Sequence, residues 1–156
     1  METVFTLVPP PGKTSTALWV PAVLVLVVSL AGILVVSKSL SGARSSTFTL
    51  SPAGLVIRGD LWGRTIPTAQ LRGALARVVD LRVETALAPR RRTAGTGLPG
   101  YRSGWWRLAN GEKALIYVTT TDRVVHVPTT AAYSLLLSVS EPERFAAQLR
   151  ELSPAG

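Results

Sequence analysis

Cationic and aromatic side chains are concentrated in one short stretch of the sequence, where they could bind an anionic group. Arginine forms paired hydrogen bonds to phosphate or carboxylate, and aromatic rings insert into membrane interfaces or peptide grooves. The stretch therefore predicts a surface for a protein partner or for anionic lipid headgroups. A solvated charge run that binds nothing explains the arginines equally well. The candidate residues are Arg90, Arg91, Arg92, Tyr101, Arg102, Trp105, Trp106 and Arg107.

Two of the candidate residues, Trp105 and Trp106, are adjacent in the sequence. Successive side chains of a strand point to opposite faces of a sheet, so both tryptophans cannot enter the same core. We therefore expect one of them to be a core residue and the other to be available at the surface.

The sequence offers little for covalent or metal chemistry. It contains no cysteine and a single histidine, His126, which lies in a strand-like stretch without a neighbouring nucleophile or carboxylate. Asp60, Asp80 and Asp122 are well separated and are typical of turn or surface positions. Neither paired carboxylates nor metal-ligand spacings occur. We predict a protein that is not an enzyme and that binds no metal or cofactor.

A long uncharged run precedes this stretch. Residues 17–37 contain 21 residues without a charge, and at about 1.5 Å per residue they reach about 31 Å. This length predicts a single transmembrane helix, with Trp19 and Lys38 at the two interfaces. A cleaved signal peptide is the alternative, because Ser41, Gly42 and Ala43 resemble a cleavage site, but its apolar region would be shorter.

The charged residues around the run predict the orientation of the chain in the cell membrane. Lys13 precedes the run, whereas Lys38 and Arg44 follow it, so the larger positive charge lies on the C-terminal side. The positive-inside rule then favours a cytoplasmic C-terminal portion. From Lys38 onward the chain has 16 basic and 8 acidic residues, which accounts for the whole net charge of +8. The predicted organisation is a segment 1–16, the span 17–37, a linker 38–44, a domain 45–152 and a tail 153–156.

The domain reads as a series of short strands. Alternating residues and turn signals predict a hairpin from 46–50 and 55–58, and Pro67 should end a third strand because it cannot donate to a ladder. Asn110 and Gly111 predict a two-residue hairpin turn in which both residues have positive φ. Further strands are expected at 76–84, 105–109, 114–118, 123–127 and 134–139.

Two other segments complete the expected structure. Residues 86–104 contain two prolines and four glycines without an apolar period, and they predict a long irregular loop. Ser140 and Glu143 match a capping box, which predicts the start of a helix. Phe145, Leu149 and Leu152 place an apolar stripe on that helix.

The region 44–152 resembles the bacterial pleckstrin-homology-like domains that are attached to transmembrane segments. Three stretches carry the resemblance: GLVIRGDLWGRTIP, GTGLPGYRSGWWRLANGEKALIYVT and LLLSVSEPERFAAQLREL. It implies a mainly β fold, in which a bent antiparallel barrel or sandwich of seven or eight strands is closed by a C-terminal amphipathic helix. Many relatives carry two spans in front of the domain, whereas this sequence shows one.

The resemblance implies a binding platform rather than an enzyme, because the fold hosts no common chemistry. Phosphoinositide specificity does not carry over, since only Arg58 and Arg64 lie in the first strand pair, where eukaryotic relatives often bind these lipids. Two functions remain. The favoured one is a membrane-anchored module that binds or scaffolds a protein partner, and the alternative is a sensor of anionic lipid headgroups that uses the arginine-rich loop 90–107. Nucleic acid is not an expected partner, because the chain has a membrane tether and no recognisable motif.

Overall fold

The computed structural model describes the backbone of residues 14–153 and the side chains of residues 19–34, 37 and 46–153. The segment 1–16 and the tail 153–156 lie mostly outside these residues. The chain divides into two compact units, one that ends at Ser37 and one that begins at Lys38.

The first unit contains most of helix α1, Thr14–Ser45, which includes the uncharged run and continues through the expected linker. Its large apolar side chains from Trp19 to Leu34 are 52% to 69% exposed. Within the described residues, no helix combines the length and the hydropathy that a membrane crossing requires.

The second unit is built from two open sheets and a C-terminal helix. One sheet has the strand order β1-β2-β3 and the other has the order β4-β8-β9-β7-β6-β5. The described strands are β1 Thr47–Ser51, β2 Gly54–Arg58, β3 Arg64–Pro67, β4 Arg77–Val79, β5 Pro89–Leu98, β6 Tyr101–Leu108, β7 Lys113–Val118, β8 Val124–Pro128 and β9 Ser134–Leu137, followed by helix α2 Pro142–Leu152.

Several sequence-based expectations are confirmed. The β1–β2 hairpin is present, β3 ends at Pro67, and the C-terminal helix follows the last strand. Others are wrong. The described strands number nine rather than seven or eight, and β7 pairs with β9 in parallel rather than antiparallel fashion. Of the expected barrel or sandwich, the two open sheets of the described residues exclude only the closed barrel.

The parallel pair arises because β9 lies between β7 and β8. All four residues of β9 are completely buried, which is typical of a central strand that is covered on both faces. The larger sheet therefore has a core on each side. One core packs Leu115 and Leu135 against the smaller sheet and against Leu149 of α2, and the other contains Trp106, Leu136 and their neighbours.

The expected loop 86–104 is instead most of a long antiparallel hairpin, in which β5 and β6 pair from Pro89 and Leu108 to Leu98 and Tyr101. Its glycines allow the backbones of the two strands to pack closely. A Cβ added at Gly95 would lie 2.1 Å from the carbonyl oxygen of Ser103, and Gly104 has a φ of +91°. The prediction of a loop is wrong because these glycines allow close strand packing instead of breaking the strands.

The ends of two elements also differ from expectation. The N-cap of α2 is Glu141 without a side-chain cap, because the helix begins at Pro142 rather than at a capping box. The Glu143 carboxylate pairs with Arg123, and its pKa is lowered by its own backbone N–H and by that guanidinium. The β6–β7 turn is longer than the expected two residues, because β6 ends at Leu108 and β7 begins at Lys113. Within this turn only Gly111 has positive φ, of +86°.

Candidate functional site

The pairing of β5, β6 and β7 brings three cations into one line across the sheet. Arg91 lies directly opposite Arg107, and Arg107 lies directly opposite Lys113. Neighbouring strands are about 4.8 Å apart, so these three positions span about 10 Å. We refer to Arg91, Arg107 and Lys113 as the basic row. It lies on the same face as Trp105, which precedes Arg107 by two residues on β6.

The other hairpin arginines do not join this row. Arg92 pairs with Trp106, and the Arg102 guanidinium lies 5.8 Å from the centre of the Trp106 ring, so both belong to the opposite face. Arg90 is exposed at a β-bulge. The single basic surface expected from the sequence is therefore divided between the two faces of one hairpin.

Trp105 is half-buried and is surrounded by cations. The Arg64 guanidinium lies 4.6 Å from the centre of its ring, and the Lys113 ammonium lies 4.2 Å from it. Tyr133 meets the ring edge to face at 5.0 Å. Trp106, by contrast, is buried, and its indole N–H donates to the carbonyl oxygen of Ser103. Of the two tryptophans, Trp105 is therefore the one that a ligand can reach.

An open pocket lies beside the basic row. Its volume is about 350 Å³, and it is lined by Thr93, Ala94, Trp105, Arg107 and Lys113. Lys113 and Arg64 also lie at this site, although neither is among the candidates that the sequence indicates. Lys113 could have been found from the Asn110–Gly111 turn, because a hairpin register fixes which side chains face each other across the strands.

The cations of the hairpin have no acidic partners among the described residues. The four ion pairs in that part of the chain join Arg77 to Glu84, Arg82 to Asp80, Arg123 to Glu143 and Arg144 to Glu141. Arg107 donates to the backbone oxygen of Gly111, which leaves its charge uncompensated. The same part of the chain contains no cluster of three or more acidic, histidine or cysteine residues that could hold a metal ion.

Tyr101 is not part of the accessible surface, contrary to expectation. Its side chain is 5% exposed, and its hydroxyl donates to the Asp60 carboxylate at 3.1 Å. The Tyr117 hydroxyl donates to the same carboxylate at 2.6 Å, and the backbone N–H of Trp62 donates at 2.9 Å. Asp60 lies in a turn, as predicted, but it also joins the two sheets. Its tyrosine partners are 41 and 57 residues away, so no local pattern indicates this role.

The environment of Asp60 affects both phenols. Burial raises the pKa of Tyr101 and of Tyr117. The hydrogen bond to the Asp60 carboxylate raises the pKa of Tyr117 further. Both tyrosines therefore remain neutral donors at neutral pH, so the carboxylate is held by two protonated hydroxyls.

His126 is a buried residue of β8 whose two ring nitrogens have no hydrogen-bond partner among the described residues. Its pKa lies below the ordinary value of 6.5, mainly because the ring is buried. The position fits the structural role expected from the sequence better than that of a general base, since neither nitrogen reaches solvent or a nucleophile.

We expect the free energy of unfolding to decrease as the pH falls below about 6.5, because the unfolded chain then binds a proton that folded His126 resists. Asp80, Glu84 and Glu143 also have lowered pKa values, but their contribution is lost only below their ordinary values of 3.8 to 4.5. Urea unfolding at pH 7.0, 6.0 and 5.0 measures the effect. In a His126→Leu variant the dependence over this interval should be reduced, and an unchanged dependence would contradict this assignment.

Comparison with known families identifies the second unit. A family model described as "Bacterial PH domain" matches residues 46–153, which contain both sheets and α2. The chain has no match among the curated proteins or among the solved structures. PH-like domains generally serve as non-catalytic binding modules, and the resemblance to bacterial PH-like domains is confirmed over this region. Because the match covers more than half of the 156 residues, the chain belongs to the bacterial PH domain family.

Proposed function

We propose that the protein is a membrane-anchored, non-catalytic module that binds a protein partner through the β5–β6 hairpin. The observation that carries the proposal is the set of five hairpin arginines, which form no ion pair with any described carboxylate. A partner with an acidic surface would compensate these charges. Such complementarity speeds encounter and excludes partners of the same charge.

The shape of the hairpin favours recognition through side chains. β5 is the edge strand of the larger sheet, but its ladder is interrupted by irregularities between Pro89 and Arg91 and between Arg92 and Ala94. Bulges and charges on an edge strand oppose the addition of another strand. The hairpin presents arginines on both faces, so an acidic partner could contact either face or enclose the edge.

The anchoring part of the proposal is supported by the uncharged run 17–37 and by the exposed apolar side chains of α1. Such a surface is unfavourable in water and favourable in a bilayer. The distribution of Lys13, Lys38 and Arg44 supports a cytoplasmic domain.

Anchoring and orientation can be tested together, because the chain contains no cysteine. Val83 is 78% exposed, so a Val83→Cys variant provides a single reactive thiol. We expect the variant to stay in the membrane pellet after alkaline carbonate washing, and a membrane-impermeant maleimide to label it only after lysis. Release by carbonate would contradict anchoring, and labelling of intact cells would contradict the orientation.

The partner can be sought by placing a photo-cross-linking amino acid at Arg90 in the full-length protein in cells. We expect an adduct of defined mass that mass spectrometry identifies as one protein with an acidic surface. The adduct should be lost when Arg91 and Arg92 are changed to Glu. A cross-linker at Gln70, an exposed residue that follows β3 in the sequence, serves as the control. The same adducts from both positions, or an adduct that survives the charge reversal, would refute the proposal.

Anionic lipid is the second candidate ligand of the hairpin. It is favoured by the three consecutive exposed residues Arg90, Arg91 and Arg92, since each cation that reaches an anionic surface contributes about 1 kcal/mol. In nanodiscs that contain phosphatidylglycerol, this candidate predicts that the hairpin is protected from proteolysis at low salt and becomes accessible at high salt. Protection that does not depend on salt or on these arginines would exclude it.

A further inference from the structure

The basic row is an unusual arrangement for a sheet surface. Like charges that face each other directly on neighbouring strands are destabilising, and here two such pairs share the middle residue, Arg107. No described carboxylate relieves the repulsion. The fold therefore retains a concentrated positive charge that a bound anion would neutralise.

Two residues of the basic row line the pocket described above. Arg107 and Lys113 line it, together with Thr93, Ala94 and Trp105. The Thr93 hydroxyl already donates to the carbonyl oxygen of Trp105, so its remaining capacity is that of an acceptor. Donors to a ligand thus come from the cations, whereas Trp105 and Ala94 provide an apolar surface. A ligand that matches this pocket has an anionic head and a less polar body.

The geometry points to a phosphate monoester: we propose that Arg91, Arg107 and Lys113 bind its phosphate group while Trp105 packs against the rest of the ligand. A monoester carries a charge of about −1.5 to −2 at pH 7 and has three strong acceptor oxygens. Three cations within about 10 Å can share these oxygens. A carboxylate or a phosphodiester carries one negative charge and would leave most of the row uncompensated.

This site goes beyond the partner surface proposed above. It shares Arg91 and Arg107 with that surface but adds Lys113, Trp105 and the pocket, all on one face of the hairpin. The phosphate could belong to the headgroup of a lipid such as phosphatidic acid or to a soluble metabolite. Both sources present the same group to the basic row.

Calorimetry on the full-length protein in a non-ionic detergent tests the site at 150 mM salt. The ligands are glycerol 3-phosphate as a soluble monoester, short-chain phosphatidic acid as a lipid monoester, and short-chain phosphatidylglycerol as a diester. We expect saturable binding of at least one monoester and at least about tenfold weaker binding of the diester, because charge-assisted contacts are lost. Preference for phosphatidic acid would assign the site to a headgroup, and preference for glycerol 3-phosphate would assign it to a metabolite.

Variants decide whether the basic row is the site. Lys113→Ala and Arg107→Ala should each weaken monoester binding by about tenfold or more. Arg72→Ala, which removes one exposed cation elsewhere, should leave it unchanged. Absence of binding, equal binding of the diester, or equal effects of Arg72→Ala and Lys113→Ala would overturn the proposal. Circular dichroism confirms that each variant is folded. Lys113→Ala should leave the cross-link at Arg90 intact, so failure of this site is distinguishable from failure of the partner surface.

Discussion

Replacement of Asp60 by alanine is expected to lower the free energy of unfolding by about 3 kcal/mol, because it leaves two buried phenols without their acceptor. Tyr101 and Tyr117 are 5% and 2% exposed, so water cannot replace the carboxylate without opening the structure. The change also removes the acceptor for the backbone N–H of Trp62, a local hydrogen bond within the β2–β3 turn. The loss is therefore that of a small network and exceeds the loss of one hydrogen bond.

Urea unfolding followed by circular dichroism measures this loss. Asp80→Ala is the matched control, because it removes a turn carboxylate whose main side-chain partner is exposed Arg82, and we expect little change. A double-mutant cycle with Tyr117→Phe should show that the two changes are not additive, since they remove the same hydrogen bond. Equal stabilities of the Asp60→Ala and Asp80→Ala variants would show that Asp60 does not join the two sheets.

Replacement of Gly104 by alanine is expected to lower the free energy of unfolding by about 3 kcal/mol or more and to weaken every activity of the hairpin. Two effects add. A residue with a side chain is strained at a φ of +91°, and its Cβ would lie 2.6 Å from both the carbonyl oxygen of Ala94 and the Cα of Gly95. These atoms belong to the backbone of the facing strand, so the strands must separate. Separation would also disturb the register that aligns Arg91 with Arg107.

Gly100 provides a control that isolates the two effects. It also has a positive φ, of +74°, but a Cβ there would meet no atom within 4 Å. Gly100→Ala should therefore cost only the backbone strain of about 1 to 2 kcal/mol. If thermal and urea unfolding give the same loss for both variants, the close approach of β5 and β6 at Gly104 contributes nothing to stability.

Local patterns were sufficient to predict many of the elements of the fold. The hairpin from 46–50 and 55–58, the end of β3 at Pro67 and the apolar stripe of α2 each depend on residues close together in the sequence. All three are confirmed. The hairpin from β5 to β6 was missed because Gly95 and Gly104 favour a loop when they are considered one at a time. In the structure the two glycines lie side by side on adjacent strands, where the absence of side chains allows the two backbones to approach closely.

The candidate site was predictable in its residue types but not in its arrangement. The sequence indicates the arginines and one of the two tryptophans, yet the register shifts between Pro89 and Ala94 decide which arginine of β5 lies opposite Arg107. Arg64 reaches Trp105 from a different sheet, and Asp60 reaches its tyrosines across 41 and 57 residues. Such contacts depend on tertiary packing, which no periodicity in the sequence encodes.

The position of β9 has a consequence for the order in which the domain can be assembled. In the larger sheet, β9 is the only connection between two groups of strands, β4 and β8 on one side and β5, β6 and β7 on the other. It is also the last of these strands to be synthesised. A nascent chain that has not yet reached Ser134 can hold only two separate fragments of this sheet, each with an unpaired edge. Because non-local pairing must wait for this strand, we expect the sheet as a whole to fold slowly. Premature termination before β9 should produce aggregation-prone chains rather than a smaller folded domain.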